Sequence, residues 1–205
     1  MREIKEKIVA SADELFMRLG VRSVTMEDVA REVSISKKTI YQFFDNKEHL
    51  VKEVVQNHLD AEAIEFSSIA AHAANAIHEI FQISGCIRKN LKSINPTTLH
   101  DLRKYYPTAF QLFTEFKTQF IRGNIEDNLK RGIKEGYYRQ EIDPLVIATF
   151  RMEQVEHMFD GRLFPSDQFE FTHVQMQLFE HFVFGLVTES GRKLYMNFKT
   201  EEEIN

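Results

Sequence analysis

The sequence predicts an all-α protein. Apolar residues recur at three-to-four spacing along almost the whole chain, and Gly, Pro and capping residues punctuate these stripes at helix-length intervals. No alternation of polar and apolar residues is long enough to suggest a strand. At 205 residues and 43% hydrophobic, the chain has material for one large domain, or a small one followed by a larger one.

Ile4, Ile8, Ala12, Leu15, Phe16 and Leu19 mark one face of a first helix, and Gly20 stops it. "TMED" opens a second as a capping box, Thr25 with Asp28 three residues on, and Val29, Ala30 and Val33 form its inner side. Ser36 caps a third, very short helix whose Ile40 and Phe44 continue the apolar stripe. A fourth starts near "DNKEHL" with Leu50, Val54 and Val55. The Ala-rich run "DAEAIEFSSIAAHAANAIHEIF" suits either close helix approach or a weak break between two helices. Ile77, Ile80, Phe81, Ile87, Leu91 and Ile94 carry the next stripe, and Asn95-Pro96 and Tyr106-Pro107 signal turns or helix starts. One long helix is expected through Phe113, Phe116, Phe120, Ile125, Leu129 and Ile133, ending at Gly136. Pro144 opens another, and "FPSDQ" separates it from a final helix through "VQMQLFEHFVFGLV".

The net charge of −5 argues against a protein that coats nucleic acid with its whole surface. The charge is uneven. Residues 1–47 hold nine Lys/Arg against eight Asp/Glu, whereas the other 158 hold 17 against 23. Cys86 is single, which leaves no intrachain disulfide and no Cys-based zinc site. The N-terminus lacks the apolar core of a signal peptide and no stretch is long enough to span a membrane, so a cytoplasmic location and no membrane partner are expected. Glycine-rich phosphate loops, GxSxG and convergent carboxylates are missing, and "HEIF" at His78 has no second histidine at zincin spacing. Glu153 with His157, and Gln177 with His181 near His173, have metal-ligand spacing but no third convergent ligand, which fits surface or interface roles. No enzyme activity, metal or cofactor is expected.

The informative stretch is "SISKKTIYQFF". A helix N-terminus carries roughly +0.5 of an elementary charge and favours anions. Yet Lys37 and Lys38 follow the Ser36 cap directly, and no carboxylate sits in that first turn. Lys47 repeats the anomaly at the fourth helix. A single exposed lysine there means little. Three on this spacing point to an external polyanion, and residues 25–44 have the helix, short turn and second helix of a helix-turn-helix, whose second helix enters the DNA major groove.

The segment "TMEDVAREVSISKKTIYQFFDNKEHLVKEVV" resembles the DNA-binding end of TetR-type transcriptional regulators. The matching positions are Thr25, Val29, Ala30, Ile35, Ser36, Thr39, Ile40, Tyr41, Phe44, Lys47, Glu48 and Leu50. The phrases "LRKYYPTAF", "GIKEGYYRQEIDP" and "FGLVTESGRKL" resemble features of the family's C-terminal domains more loosely. The resemblance implies a helix-turn-helix DNA-binding domain over 1–47 and a helical effector-binding and dimerisation domain over 48–205. It further implies a homodimer on a double-stranded DNA operator, a small-molecule effector, and repression relieved when that effector binds. Carried over residue by residue, Thr25 and Lys47 grip phosphates, and Ser36, Lys37, Lys38, Thr39, Tyr41 and Gln42 present the recognition helix to phosphates and bases. Tyr41 also fits a core position with a wet hydroxyl. Three positions depart from the pattern: Ser34 replaces the usual turn glycine, Lys38 a small residue, and Phe43 a histidine or tyrosine. At Ser34 the turn must avoid a strongly positive φ or tolerate the strain.

Phe81, Phe113, Phe116, Phe120, Phe150 and Met152 are candidates for an apolar effector cavity, which implies a largely apolar or aromatic ligand; the same aromatics also suit plain core. Val155, Phe159, Leu178, Phe179, Phe182 and Leu186, on the last two expected helices, are candidates for a dimer interface. The alternative function is a helical small-molecule carrier or enzyme with a vestigial helix-turn-helix, which has no need of Lys37, Lys38 and Lys47 where they stand.

Overall fold

The computed structural model describes residues 1–91, 98–158, 163–165 and 167–204. Ile94, Asn95-Pro96 and Phe159 lie outside the described residues. Beyond one isolated antiparallel bridge, Tyr138 with Val187, no strand occurs among the described residues. The chain forms two compact units, Met1–Glu62 with Ser93–Phe116, and Ala63–Lys92 with Lys117–Asn205.

The N-terminal unit begins with α1 (Arg2–Leu19), which buries Ile8, Val9, Ala12, Leu15 and Phe16. Ile4 and Leu19, expected on that face, are exposed at its ends. Gly20 stops the helix with φ 82°, and its amide returns to the Phe16 carbonyl. α2 (Met26–Glu32) has the expected capping box: the Asp28 amide donates to Thr25 Oγ1 at 3.1 Å and the Thr25 amide to Asp28 Oδ2 at 2.9 Å. α3 (Lys37–Ile40) is a single turn capped by Ser36. α4 (Lys47–His72) ends inside the Ala-rich segment, which breaks at residues 73–75 before the next helix begins at Ala76, the weak break that the sequence offered as one alternative. The start of α4 is capped by Asn46, which accepts from the His49 amide at 2.9 Å.

Ile40 and Phe44 are fully buried with Val29, Leu50 and Val51. Each such side chain contributes roughly 1.5–3 kcal/mol by leaving water. α6 (Thr98–Tyr105) and α7 (Pro107–Phe116) belong to this same core, through buried Leu102 and Ala109 and half-buried Leu99, Tyr106 and Phe110. The packing units do not follow the expected division at 47 and 48. By packing, the first part of α4 and the α6–α7 pair share the N-terminal core.

The second unit is built on α5 (Ala76–Leu91), α8 (Arg122–Lys134), α9 (Pro144–Met158), α10 (Phe171–Leu186) and α11 (Glu189–Ile204). The single helix expected from Phe113 to Ile133 is interrupted by a π-helical stretch, Lys117–Ile121, between α7 and α8. A π turn takes more residues than an α turn and so shifts the phase of the apolar stripe. Accordingly Phe110 and Phe113 pack together in the first unit, while Leu129, Ile125 and Ile133 join the second core. α11 is an addition to the helices expected from the sequence. Thr188 caps it (its Oγ1 accepts from the Gly191 amide at 3.2 Å), and Leu194, Tyr195 and Phe198 form its inner stripe.

The phrases "GIKEGYYRQEIDP" and "FGLVTESGRKL" turn out to be one joint. Tyr138 is fully buried and donates to Asn128 Oδ1 at 2.9 Å, and Asn128 in turn donates to the Ala76 carbonyl at 3.1 Å. Its ring lies where a side chain on Gly132 would stand, 2.1 Å from an added Cβ. Gly136 takes φ 77° to end α8. The Tyr137 carbonyl accepts from the Thr188 amide at 2.9 Å and lies 2.2 Å from the position of a Cβ on Gly191. Asp143 then caps α9 by accepting from the Leu145 and Val146 amides at 3.0 and 3.1 Å. Beneath this joint Arg131 reaches Glu79 at 3.3 Å, Glu135 at 2.9 Å and the Ala73 carbonyl at 2.9 Å. Burial pushes the Glu79 carboxyl up, against the opposing pull of Asn128 and Arg131.

Candidate nucleic-acid interface

The turn between α2 and α3 sets how the short helix is presented. The Ser34 amide donates to the Arg31 carbonyl at 3.1 Å and the Ile35 amide to the Ala30 carbonyl at 2.9 Å, the paired bonds of a Schellman motif. Ser34 occupies its left-handed position, with φ 59°. The turn therefore tolerates the strain that the missing glycine raised. It is anchored by Ile35, which packs against the core.

With Ile40 buried, the rest of α3 and its continuation face outward. Ser36 accepts from the Thr39 amide at 3.1 Å, and the two hydroxyls share a bond at 2.8 Å. Lys37, Lys38 and Gln42 are exposed and Thr39 is half-exposed. Tyr41 is 44% exposed, which excludes the core alternative for it. Phe43, the departure from the family pattern, packs partly against the core. After one α-turn the chain tightens, the Gln42 and Phe43 amides donating to the Thr39 and Ile40 carbonyls at 3.1 Å each.

The lysine anomaly resolves unevenly. Lys37 reaches Glu27 Oε2 of α2 at 3.4 Å, an exposed pair worth at most about 1 kcal/mol and easily exchanged for a phosphate. Lys38 has no acid within ion-pair reach among the described residues. Lys47 is half-buried: its ammonium donates to the Arg22 carbonyl at 3.2 Å and stands 5.5 Å from the centre of the Tyr106 ring. Thr25 is already engaged, since its amide and hydroxyl both donate to Asp28, at 2.9 and 2.7 Å. Those bonds hold the Asp28 carboxyl below its ordinary range, with Arg31 adding to the effect.

The other predicted residues do not form one group. Phe113 and Phe116 belong to the N-terminal unit; Phe81, Phe120, Phe150 and Met152 belong to the other. Phe81 packs on Tyr195 and stacks on Phe198, Met152 is buried, and Phe150 is 63% exposed beside exposed Leu145 and Val146 of α9. Of the interface candidates, Phe179 and Leu186 are buried in their own core, while Val155, Leu178 and Phe182 are half-buried. Phe159 is not among the described residues. Arg151 is buried between Phe179 and Phe182, its guanidinium 5.4 and 5.2 Å from the ring centres. Gln154 is its hydrogen-bond partner, and no carboxylate pairs with it among the described residues. Burial lowers its pKa to about 10. No cluster of three metal-ligating side chains and no helix fit to cross a membrane occurs among the described residues.

A capped helix, a tight turn and a one-turn helix with an outward lysine-rich face define a helix-turn-helix DNA-binding protein. The family described as "Bacterial regulatory proteins, tetR family" matches residues 8–54. The negative transcriptional regulator IcaR of the icaADBC biofilm operon of Staphylococcus epidermidis is 32% identical over 139 residues, 55% of this chain and 75% of its own length. The chain belongs to the TetR family of DNA-binding transcriptional regulators. The transcriptional repressor KstR2 of Mycobacterium tuberculosis is 23% identical over 151 residues, 70% of this chain and 74% of its own. The fold matches that of a transcriptional regulator from Saccharomonospora viridis in complex with choline, with a TM-score of 0.76 at 17% identity over 92% of this chain and all of that one.

Proposed function

We propose that the chain is a homodimeric repressor that holds a double-stranded operator through α3 and Lys47. A small, largely apolar or aromatic effector, bound in the C-terminal unit, releases it. The observation that carries this reading is the outward face of Lys37, Lys38, Tyr41 and Gln42 on a helix whose Ile40 and Phe44 are fully buried. That arrangement suits a rigid reading head. Repression is supported by the names of the two relatives, both negative regulators, and effector control by the choline-bound neighbour. Exposed Leu145, Val146 and Phe150 on α9 support dimerisation, since they give that helix an apolar outer face, and α10 adds half-buried Leu178 and Phe182. For the effector, Phe81, Phe120 and Met152 remain the candidate lining within the second unit.

Release follows if the effector binds the DNA-incompetent arrangement more tightly than the competent one. Equal effector affinity with and without operator would overturn that mechanism. The first experiment is fluorescence anisotropy of the protein on its own upstream DNA and on a scrambled duplex, at near-physiological salt. Preference by about a thousand-fold or more supports sequence reading. Equal weak binding there, and no enrichment from a random-duplex selection, supports the carrier or enzyme reading instead. Lys47→Ala should weaken binding to every duplex and reduce its salt dependence, whereas Gln42→Ala should mainly relax sequence preference.

A further inference from the structure

The N-terminal core carries basic residues outside the helix-turn-helix. Arg22, in the turn between α1 and α2, lays its guanidinium 5.1 Å from the centre of the Tyr105 ring. Lys104, on α6, places its ammonium 5.2 Å from the centre of that same ring. Two like charges thus meet on one aromatic, and neither has an acid in ion-pair reach among the described residues. The Arg22 carbonyl holds the Lys47 ammonium at 3.2 Å, and Lys47 rests on Tyr106, the neighbour of Tyr105. Glu48, the nearest acid in sequence to Lys47, is turned aside to accept from Thr108 at 2.7 Å. Arg22, Lys104 and Tyr105 are all exposed.

A ring quadrupole attracts a cation to its face. The ring carries no net charge, so two cations on it leave the cluster short of negative charge. Because it adjoins Lys47 and lies three residues before Thr25, it continues the surface assigned to phosphate binding. We infer that Arg22 and Lys104, positioned by Tyr105, form a second phosphate grip that extends the DNA footprint beyond the helix-turn-helix onto α6. The ligand is the sugar–phosphate backbone, so the grip adds affinity and register but no base preference. The inference rests on the DNA-binding reading above, and α6 supplies it because Leu102 fixes that helix into the N-terminal core.

The test uses the full chain and two duplexes, the upstream DNA and a scrambled sequence of equal length. Affinity is measured by anisotropy across a salt series for wild type, Arg22→Ala, Lys104→Ala, Lys104→Arg and, as control, Lys47→Ala. Each alanine variant should weaken binding to both duplexes by the same factor. Each should also lower the slope of log affinity against log salt by about 0.9 for every phosphate no longer neutralised. Lys104→Arg should keep both. Wild-type slopes in Arg22→Ala and Lys104→Ala, alongside a reduced slope in Lys47→Ala, would overturn the second grip and leave the DNA-binding reading standing. Wild type binding neither duplex would overturn both. Weakening confined to the upstream duplex would also refute the inference, because it would mean base reading. Circular dichroism melting checks that the variants, all at exposed or half-buried positions, remain folded.

Discussion

Ser34→Gly should stabilise this protein, against the usual tendency of substitutions to destabilise. Ser34 holds φ 59° at the left-handed position of the Schellman turn, where a Cβ crowds the backbone. That conformation costs a non-glycine residue about 1–2 kcal/mol. Glycine removes the cost but gives the unfolded chain more freedom, worth about 0.5–1 kcal/mol in the other direction. The net expectation is a gain of roughly 0.5–1 kcal/mol, or about 1–4 °C in melting temperature for a chain of this size. The Ser34 side chain is exposed and makes no hydrogen bond among the described residues, so nothing else is lost. Urea unfolding followed by circular dichroism measures it, with Ser34→Ala as the control that keeps the Cβ and should change little. Ser34→Val should lose stability, since a β-branched residue fits that φ worst. If Ser34→Gly were neutral or destabilising, the turn would not be storing strain and the reasoning would fail. A gain would show that the protein carries strain at the hinge of its reading head.

Three further outcomes follow from particular side chains. Gly132→Ala should destabilise the second unit by about 1–3 kcal/mol, because the new methyl meets the buried Tyr138 ring, and a clear fall in the urea midpoint would show it. Arg151→Met should be neutral or stabilising in thermal melts, because Met keeps the packing on Phe179 and Phe182 and removes a buried charge that has no counter-charge among the described residues; a lower melting temperature would mean that the ring interactions outweigh desolvation. His58 stands 3.7 Å from Asp13, and its pKa is raised by the bond to Asp13, with Glu62 adding to it and burial opposing. A raised folded pKa means that the folded chain holds the proton more tightly. Its stabilisation is therefore full below the ordinary 6.5 and is lost as pH rises through the raised value. The stability difference between wild type and His58→Gln should accordingly be largest below pH 6.5 and shrink as pH rises above it. A difference independent of pH would exclude the ion pair.

The features legible in the sequence are those whose physics is short-ranged. The capping box of Thr25 and Asp28, the Ser36 cap and the stop at Gly20 each involve partners within four residues, so spacing alone discloses them. Buried Ile40 and Phe44 follow from helical periodicity, and with them the outward face of α3. The Thr188 cap is equally local, but the helix it opens is largely polar and follows directly on the strongly apolar α10, so its own stripe of Leu194, Tyr195 and Phe198 is easily missed.

What tertiary structure decided is everything that depends on a distant partner. Whether Ser34 would take a positive φ was open until Ile35 packed against the core. The lysine at the start of α4 looks like a free cation in the sequence, but the Arg22 carbonyl and the Tyr106 ring position it, and those lie 25 and 59 residues away along the chain. The Phe residues from 113 to 120 read as one stripe because periodicity assumes a regular helix, and the π turn at Lys117–Ile121 breaks that assumption. Arg22 and Lys104 stand 82 positions apart and meet only because α6 packs on the N-terminal core. Local hydrogen bonds and helix period are written in neighbouring residues and so can be read from them. Which aromatic receives which cation depends on how helices pack, a collective choice of the core that no short stretch of chain contains.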